Sequence, residues 1–267
     1  MRISAVVSNP HNFYKKHCEQ KRQVPFQAHP DFDFLKSKYD VLASSFYRRG
    51  PFYGSPDSKF DDVFNVLKSL FTQDLQHPKK MLIVGVARSQ EPFSYLTAIK
   101  SIIKEKKLSD VLDMNIVDLQ SKPTKEELFK HSYYESRTVP SFFEPYFIKD
   151  YKPRVIYNTF PGYYRVNDEI YQFLENIYDS VKKSRWETRV QDAMQGYQSE
   201  SFDVVSINNT LGYIRDKKFR IPVVEHVHRT LKPNGIYITD PHINNVKEAG
   251  LDECFEEIYE GIFRKKS

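Results

Sequence analysis

Cysteine and tryptophan are nearly missing from this 267-residue sequence, which holds two cysteines, Cys18 and Cys254, and one tryptophan. The two cysteines are far apart, with no CxxC and no Cys/His pair at ligand spacing, so a disulfide framework and a structural zinc site are both excluded. No GxSxG, HExxH or GxxxxGK[ST] motif is present, which removes the usual serine-hydrolase, zinc-protease and P-loop readings. No apolar run approaches the ~18 residues that a membrane span needs. The N-terminus MRISAVVSNPHNFYKK lacks the apolar core and cleavage site of a secretory leader. The expectation is a cytoplasmic chain without a membrane span. A strong charge of one sign is absent as well: 40 basic residues against 35 acidic ones leave a net +5. The lysines are scattered rather than gathered into a stripe with interleaved aromatics, which argues against nucleic acid as the main partner.

What is present is a 40% hydrophobic content, enough for a sizeable core. Residues 31–49 and 59–76 carry apolar side chains at helical spacing, separated by Gly50-Pro51 and Gly54-Ser55-Pro56, so residues 1–79 read as a helical N-terminal region. Then Met81-Leu82-Ile83-Val84-Gly85-Val86 has the look of a fully buried strand, and 92–104 follows as a helix. Further strands are expected at 113–119, 202–208 and 235–239, the last after the turn Lys232-Pro233-Asn234-Gly235. A helix is expected at 221–231. Strands alternating with helices predict an α/β fold with a mainly parallel sheet covered on both faces, whose ligands lie at the carboxyl ends of the strands. The loops after Val86, Val117 and Ile207 are therefore the candidate site. Residues 120–185, aromatic-rich and punctuated by proline, are too long for a simple connection and read as an inserted subdomain.

Several local features gain meaning from that placement. Glu91-Pro92-Phe93-Ser94 follows a buried strand and opens a helix, where Pro suits the first turn and free backbone N–H groups are on offer. Asp118 falls at the end of a strand, the position from which an acidic side chain accepts the hydroxyls of a ribose. Asn208-Asn209 closes another strand with amides suited to an adenine edge, and is equally compatible with a plain turn. His226 and His228 sit in a segment whose neighbours fit a helix, where i and i+2 point apart, so no metal site is expected.

Four segments carry a resemblance to a known family: Ser44-Ser45-Phe46-Tyr47-Arg48, Gln90-Glu91-Pro92-Phe93-Ser94, residues 202–214 (FDVVSINNTLGYI) and Leu231-Lys232-Pro233-Asn234-Gly235. In that order they resemble the T-x-F-F-R, E-E-P-Y-S, F-D-x-I-x-C-R-N-V-x-I-Y-F and L-K-P-G-G segments of the CheR-type chemotaxis receptor protein-glutamate methyltransferases. The resemblance spans roughly residues 40–245 and implies a Rossmann-like class I methyltransferase fold that uses S-adenosylmethionine. Carried over, it places Ser44 and Arg48 near the methyl donor, Glu91 and Asp118 on the cofactor with Gly85 beside them, and Asn209 and Thr210 along it. Tyr213 would face the reacting methyl. Asp192 and Ala193 stand where the family has an Asn-Leu pair flanking adenine. The subdomain at 120–185 corresponds to the family's docking subdomain and implies a protein substrate.

The reaction implied is attack of an oxygen, such as a glutamate carboxylate, on the methyl of the sulfonium, in which positioning and desolvation do most of the work and a carboxylate needs no general base. Arg48 is the candidate to orient that carboxylate through paired hydrogen bonds. The sequence departs from the family at Ser89, where a glycine is expected, at Arg88, where a small residue is expected, and in its short N-terminal region. These departures leave two alternatives open: a methyltransferase-fold scaffold that has lost catalysis, and a small-molecule O-methyltransferase.

Overall fold

The computed structural model describes residues 59–73, 77–86, 90–117, 123–135, 145–151, 163–180, 194–208, 210–211, 214, 216–239 and 245–267. All of them fall in one compact unit, Ser37–Ser267.

Helix α1 (Lys59–Gln73) buries Val63, Val66, Leu67 and Phe71, the i, i+3, i+4, i+8 stripe of an amphipathic helix. Strand β1 (Lys79–Val84) follows, buried over its last four residues. Helix α2 (Gln90–Ile103) has Glu91 and Pro92 in its first turn, where a proline forfeits no helical hydrogen bond. The single-turn helix α3 (Leu108–Val111) leads into β2 (Leu112–Val117). Helix α4 (Lys125–His131) starts with a capping box between Thr124 and Glu127. Strands β3 (Tyr133–Glu135), β4 (Phe147–Tyr151) and β5 (Tyr163–Val166) then form a separate antiparallel sheet in the order β3-β5-β4.

Helix α5 (Asp168–Ser180) is capped by Asn167, whose side-chain oxygen accepts the N–H of Ile170 at 2.9 Å. It buries Ile170, Leu174 and Tyr178, four residues apart. Strand β6 (Phe202–Ile207), helix α6 (Lys217–Thr230) and β7 (Leu231–Thr239) complete a second strand–helix–strand unit. After the short helix α7 (Asn245–Glu248), strands β8 (Phe255–Tyr259) and β9 (Ile262–Lys265) close the chain.

The main sheet runs β2-β1-β6-β7-β9-β8, with the first four strands parallel and β9 antiparallel to both of its neighbours. Met114, Met81, Val204 and Ile236 lie in one row across the parallel part. Strand alternation divides the core in two. Met81, Ile83, Ile116 and Ile238 face the layer of α1, α2 and α5, whereas Leu82, Val84, Val205, Ile207 and Tyr237 face α6. Each such fully buried aliphatic side chain contributes about 1.5–3 kcal/mol. Because both faces are covered, the strands read as unbroken apolar runs in the sequence.

The expected strands and helices at 81–86, 92–104, 113–119, 202–208, 221–231 and 235–239 are present with ends shifted by a few residues. The turn expected at Lys232-Pro233-Asn234-Gly235 lies inside β7, where Asn234 takes a positive φ of 62° and the register against β6 jumps. The β8–β9 hairpin is an addition that the sequence reading lacked. The helix expected at 31–49 lies outside the described residues. Helix α1, within the region 1–79, packs its apolar stripe into the same core as β1, α2 and α5. No helix among the described residues is long and apolar enough to cross a membrane.

Candidate functional site

Strand order reverses between β1 and β6: from β1 the chain moves outward to β2 in one direction, and from β6 outward to β7 in the other. In open α/β sheets the crevice beyond the carboxyl ends of the strands at such a reversal is where ligands bind. The residues that close β1, β2 and β6 are therefore the place where chemistry is expected, and the structure brings polar groups together there.

Glu91, in the first turn of α2, is buried at 7% exposure. Its Oε1 accepts the Ser206 hydroxyl at 2.6 Å and the Asn208 amide Nδ2 at 2.8 Å. Ser206 Oγ also lies 2.9 Å from the Tyr95 hydroxyl and accepts from Asn208 Nδ2 at 2.8 Å. A serine has one hydrogen to give, and Glu91 takes it, so Tyr95 is the donor in the Tyr95–Ser206 bond. Burial, followed by the negative charge of Glu91, holds the Tyr95 hydroxyl well above the usual tyrosine range. Tyr95 stands four residues after Glu91, on the same face of α2, and both reach across to β6. Asn208 Oδ1 is buried and has no hydrogen-bond partner among the described residues.

Beside this cluster, the Gly85 N–H donates to Val117 O at 2.8 Å and ties the ends of β1 and β2 together. Thr210 donates its hydroxyl to Val84 O at 3.2 Å and Asn208 O at 3.1 Å, a shared bond. Gly85 has a positive φ of 81°, and a Cβ placed on it would lie 1.8 Å from Thr210 Oγ1. The space over Gly85 is thus filled by Thr210. On the far side of β6, Arg229 donates to Tyr197 O at 2.7 Å and to Met194 O at 3.1 Å, which pins residues 194–197 to α6. Burial and the neighbouring Arg229 guanidinium lower the pKa of His226.

Of the site residues expected from the sequence, Gly85, Glu91 and Thr210 are described, and all three lie at the strand ends of the switch point. Ser44, Arg48, Asp118, Asp192, Ala193, Asn209 and Tyr213 lie outside the described residues. Asp118 directly follows the last residue of β2, and Asn209 lies between Asn208 and Thr210 in the chain. Ser206 and Tyr95 are the additions, and Asn208, read from the sequence as an amide suited to an adenine edge, is turned into the Glu91 cluster. A serine inside the apolar run FDVVSI and a tyrosine one helical turn after Glu91 were the available signals.

The arrangement offers a buried carboxylate and a spare amide oxygen, a set of acceptors suited to a cation or to N–H donors. Ser206 is fully buried and gives its hydrogen to Glu91, so it acts as a relay in the packing and not as a nucleophile. Among the described residues no group of three or more His, Cys, Asp and Glu could hold a metal ion. His226 and His228 both lie on α6, and His228 packs its ring 5.5 Å from that of Phe255.

Residues 167–239 match the model of a methyltransferase domain. No curated protein matches the chain. Similar solved structures include a SAM-dependent methyltransferase from Methanosarcina mazei, at 14% identity and a TM-score of 0.29, covering 62% of this chain and 53% of that one. MNMC2 from Aquifex aeolicus is 10% identical with a TM-score of 0.44, over 96% of this chain and 82% of that one. The N-methyltransferase NodS from Bradyrhizobium japonicum, in complex with S-adenosyl-L-homocysteine, is 12% identical with a TM-score of 0.35, over 86% and 100%. The chain spans about half the length of the first of these. A methyltransferase domain implies S-adenosylmethionine as its methyl donor, and the matched segment covers α5, β6, α6 and β7, whose strands are the first two beyond the switch point. With its parallel order β2-β1-β6-β7 and a reversed strand inserted before the last, the chain has a Rossmann-like class I methyltransferase fold.

Proposed function

We propose that this chain is an S-adenosylmethionine-dependent methyltransferase that methylates a carboxylate oxygen on a protein side chain, as the CheR-type resemblance implies. The observation that carries the reading is the buried acceptor cluster of Glu91, Ser206, Asn208 and Tyr95 at the switch point between β1 and β6. The residues fit the cofactor. S-adenosylmethionine supplies a methyl group on a positively charged sulfur, and a cluster built around a buried carboxylate and an amide oxygen unsatisfied among the described residues favours a cationic guest.

Glu91 and Asn208 hold the amino-acid side of the crevice, and Asp118, next in the chain after β2, takes the ribose hydroxyls. Asp192 and Ala193 flank adenine, Asn209 and Thr210 line the cofactor, and Ser44 lies near the methyl donor. Arg48 orients the acceptor carboxylate, and Tyr213 closes the reacting end. Bound there, the cofactor would supply its methyl group to the acceptor oxygen and leave as a neutral thioether. Positioning and exclusion of water are the contribution required of the chain. Residues 120–185, with the separate sheet β3-β5-β4, are the docking region for the protein substrate.

Titration calorimetry with S-adenosylhomocysteine tests the cofactor half of the proposal: the wild type binds saturably and Asp118→Ala loses at least about tenfold in affinity, ~1.4 kcal/mol. Incubation with methyl-labelled donor and a protein extract tests the other half. A label on protein that is released by mild alkali marks a carboxyl ester; an alkali-stable label excludes a carboxylate acceptor. The filled space over Gly85 favours a second reading, a fold retained for binding alone. Folded wild type that ignores S-adenosylhomocysteine would establish that reading over the first.

A further inference from the structure

The exposed lysines at the two ends of the sheet differ in their company. Lys104, Lys106 and Lys107 lie between α2 and α3, just before β2 and so at the amino ends of the strands, with the exposed Glu105 and Asp110 beside them. Helix α6 runs directly into the start of β7, so its own start lies at the carboxyl ends, a few residues after Thr210. There the Lys217 and Lys218 side chains are 65% and 69% exposed. Short helix α7, which carries the exposed Lys247, is tied to this turn by Glu248, 3.1 Å from Lys217 Nζ and 2.9 Å from Arg220 Nη2. Arg220 Nε is buried with no partner among the described residues. Asp216 and Glu248 thus face Lys217, Lys218, Arg220 and Lys247, and the first turn of α6 adds no acidic residue, although a helix start is stabilised by negative charge and not by positive. Among these cations stands Phe219, 42% exposed, with the Lys218 ammonium 4.9 Å from the centre of its ring. A lone exposed apolar side chain is ordinary. One set among cations, at the end of the sheet where the crevice opens, offers charge and apolar contact together.

We propose that Lys217, Lys218 and Phe219 on α6, with Lys247 on α7, form a docking surface for an acidic segment of the protein substrate, one that carries apolar side chains among its carboxylates. This rests on the protein-substrate reading above and deepens it by naming the chemistry of the chain around the acceptor. The pairs Lys217–Glu248 and Lys218–Asp216 are exposed and therefore weak, so exchanging their partners for substrate carboxylates costs little. An apolar side chain laid on Phe219 excludes water from the neighbouring ion pairs and strengthens them. Opposite charge draws the segment to the mouth of the crevice and fixes its orientation. The surface does not suit a nucleic acid: the cations occupy one turn of α6 and its short neighbour, with Asp216 and Glu248 among them, and form no row along which a phosphate backbone can run.

The test measures fluorescence anisotropy of a labelled peptide, Glu-Glu-Leu-Glu-Glu-Leu-Glu-Glu, on the whole chain at low salt, beside its glutamine counterpart and a labelled single-stranded oligonucleotide of equal charge. The wild type is expected to bind the acidic peptide at least about tenfold more tightly than the glutamine one. Lys217→Glu with Lys218→Glu should weaken the acidic peptide about tenfold or more, and Phe219→Ala about threefold. Lys106→Glu with Lys107→Glu makes the same change in net charge at the other end of the sheet and should stay within about twofold of the wild type. Equal losses from the two lysine pairs would mean that the peptide follows net charge alone, and the inference is overturned. It is overturned too if the wild type does not bind the acidic peptide, binds the glutamine peptide as well, or binds the oligonucleotide more tightly through the same lysines. If the charge-reversed chain fails to fold, Lys217→Ala with Lys218→Ala takes its place. Calorimetry with S-adenosylhomocysteine on the same samples keeps the two readings apart. Wild type that binds the peptide through α6 but ignores S-adenosylhomocysteine supports the docking surface and removes methyl transfer, whereas wild type that binds S-adenosylhomocysteine but not the peptide overturns the docking surface alone.

Discussion

Strand β6 carries polar side chains at both ends, and the two ends are wired differently. At its start, Asp203 Oδ2 accepts the Lys80 N–H and the Lys232 ammonium, both at 2.8 Å. The Asp203 side chain is 16% exposed and that of Lys232 is 40% exposed. Water reaches this end and can complete any bond the protein leaves open. At the other end, Ser206 and Asn208 meet Glu91 and Tyr95 away from solvent, and there each bond has to be supplied by the protein or by a guest. An unsatisfied atom is uninformative at the first end and informative at the second. The contrast separates a carboxylate that fastens β6 to β1 and β7 from one buried in the candidate site.

The largest effect that would break this contrast comes from Gly85, where the site end has no room. Gly85→Ala puts a methyl 1.8 Å from Thr210 Oγ1 and 2.8 Å from its Cβ, at a φ of 81° that side chains rarely adopt. A destabilisation of about 2–4 kcal/mol is expected, read by denaturant unfolding. Thr210→Ala in the same chain should restore part of the loss by removing the hydroxyl, and the strain at φ should keep the rest. A neutral Gly85→Ala would show that Thr210 moves aside freely and that the space over Gly85 is open to a ligand.

A smaller effect, about 1 kcal/mol at neutral pH, is expected for Tyr95→Phe, which removes a buried donor from Ser206. Its signature is the pH dependence. Unfolded, the tyrosine releases its proton near 10.0, whereas burial and Glu91 keep the folded hydroxyl protonated to higher pH. The folded state then binds more protons above pH 10, so stability is constant below that value and falls as pH rises beyond it. The wild type should lose stability above pH 10 more steeply than Tyr95→Phe, as measured by thermal midpoints across the alkaline range. Equal slopes would mean that Tyr95 is not held by this network.

The parallel half of the sheet was legible in the sequence because burial on both faces writes strands as apolar runs, as in Met81–Val84 and 202–207. The β8–β9 hairpin was not. Its first strand buries only Phe255 fully, Glu256 and Glu257 are both exposed, and the register shifts between Glu257 and Tyr259, so the alternation that marks a half-buried strand is broken. The Glu260-Gly261 step, with Gly261 at a φ of 70°, was the remaining clue. Site residues divide in the same way. Glu91 was readable from its place at a helix start after a buried strand. Ser206 read as a flaw in an apolar run, because its meaning depends on a carboxylate 115 positions earlier in the chain.

The smallest effect belongs to the solvent end of β6 and sharpens the comparison from the other side. Asp203→Asn removes the charge that Lys232 faces but keeps an oxygen able to accept the Lys80 N–H. Such partly exposed pairs are worth about 0.2–1 kcal/mol and are screened by salt. The variant should therefore be less stable than the wild type by no more than this at low ionic strength, and the gap should shrink as salt is added. Its affinity for S-adenosylhomocysteine should equal that of the wild type, because Asp203 stands at the opposite end of the strand from Glu91. A salt-insensitive loss of several kcal/mol would show that Asp203 is as strongly desolvated as Glu91, and the distinction between a fastening end and a binding end of β6 would have to be given up.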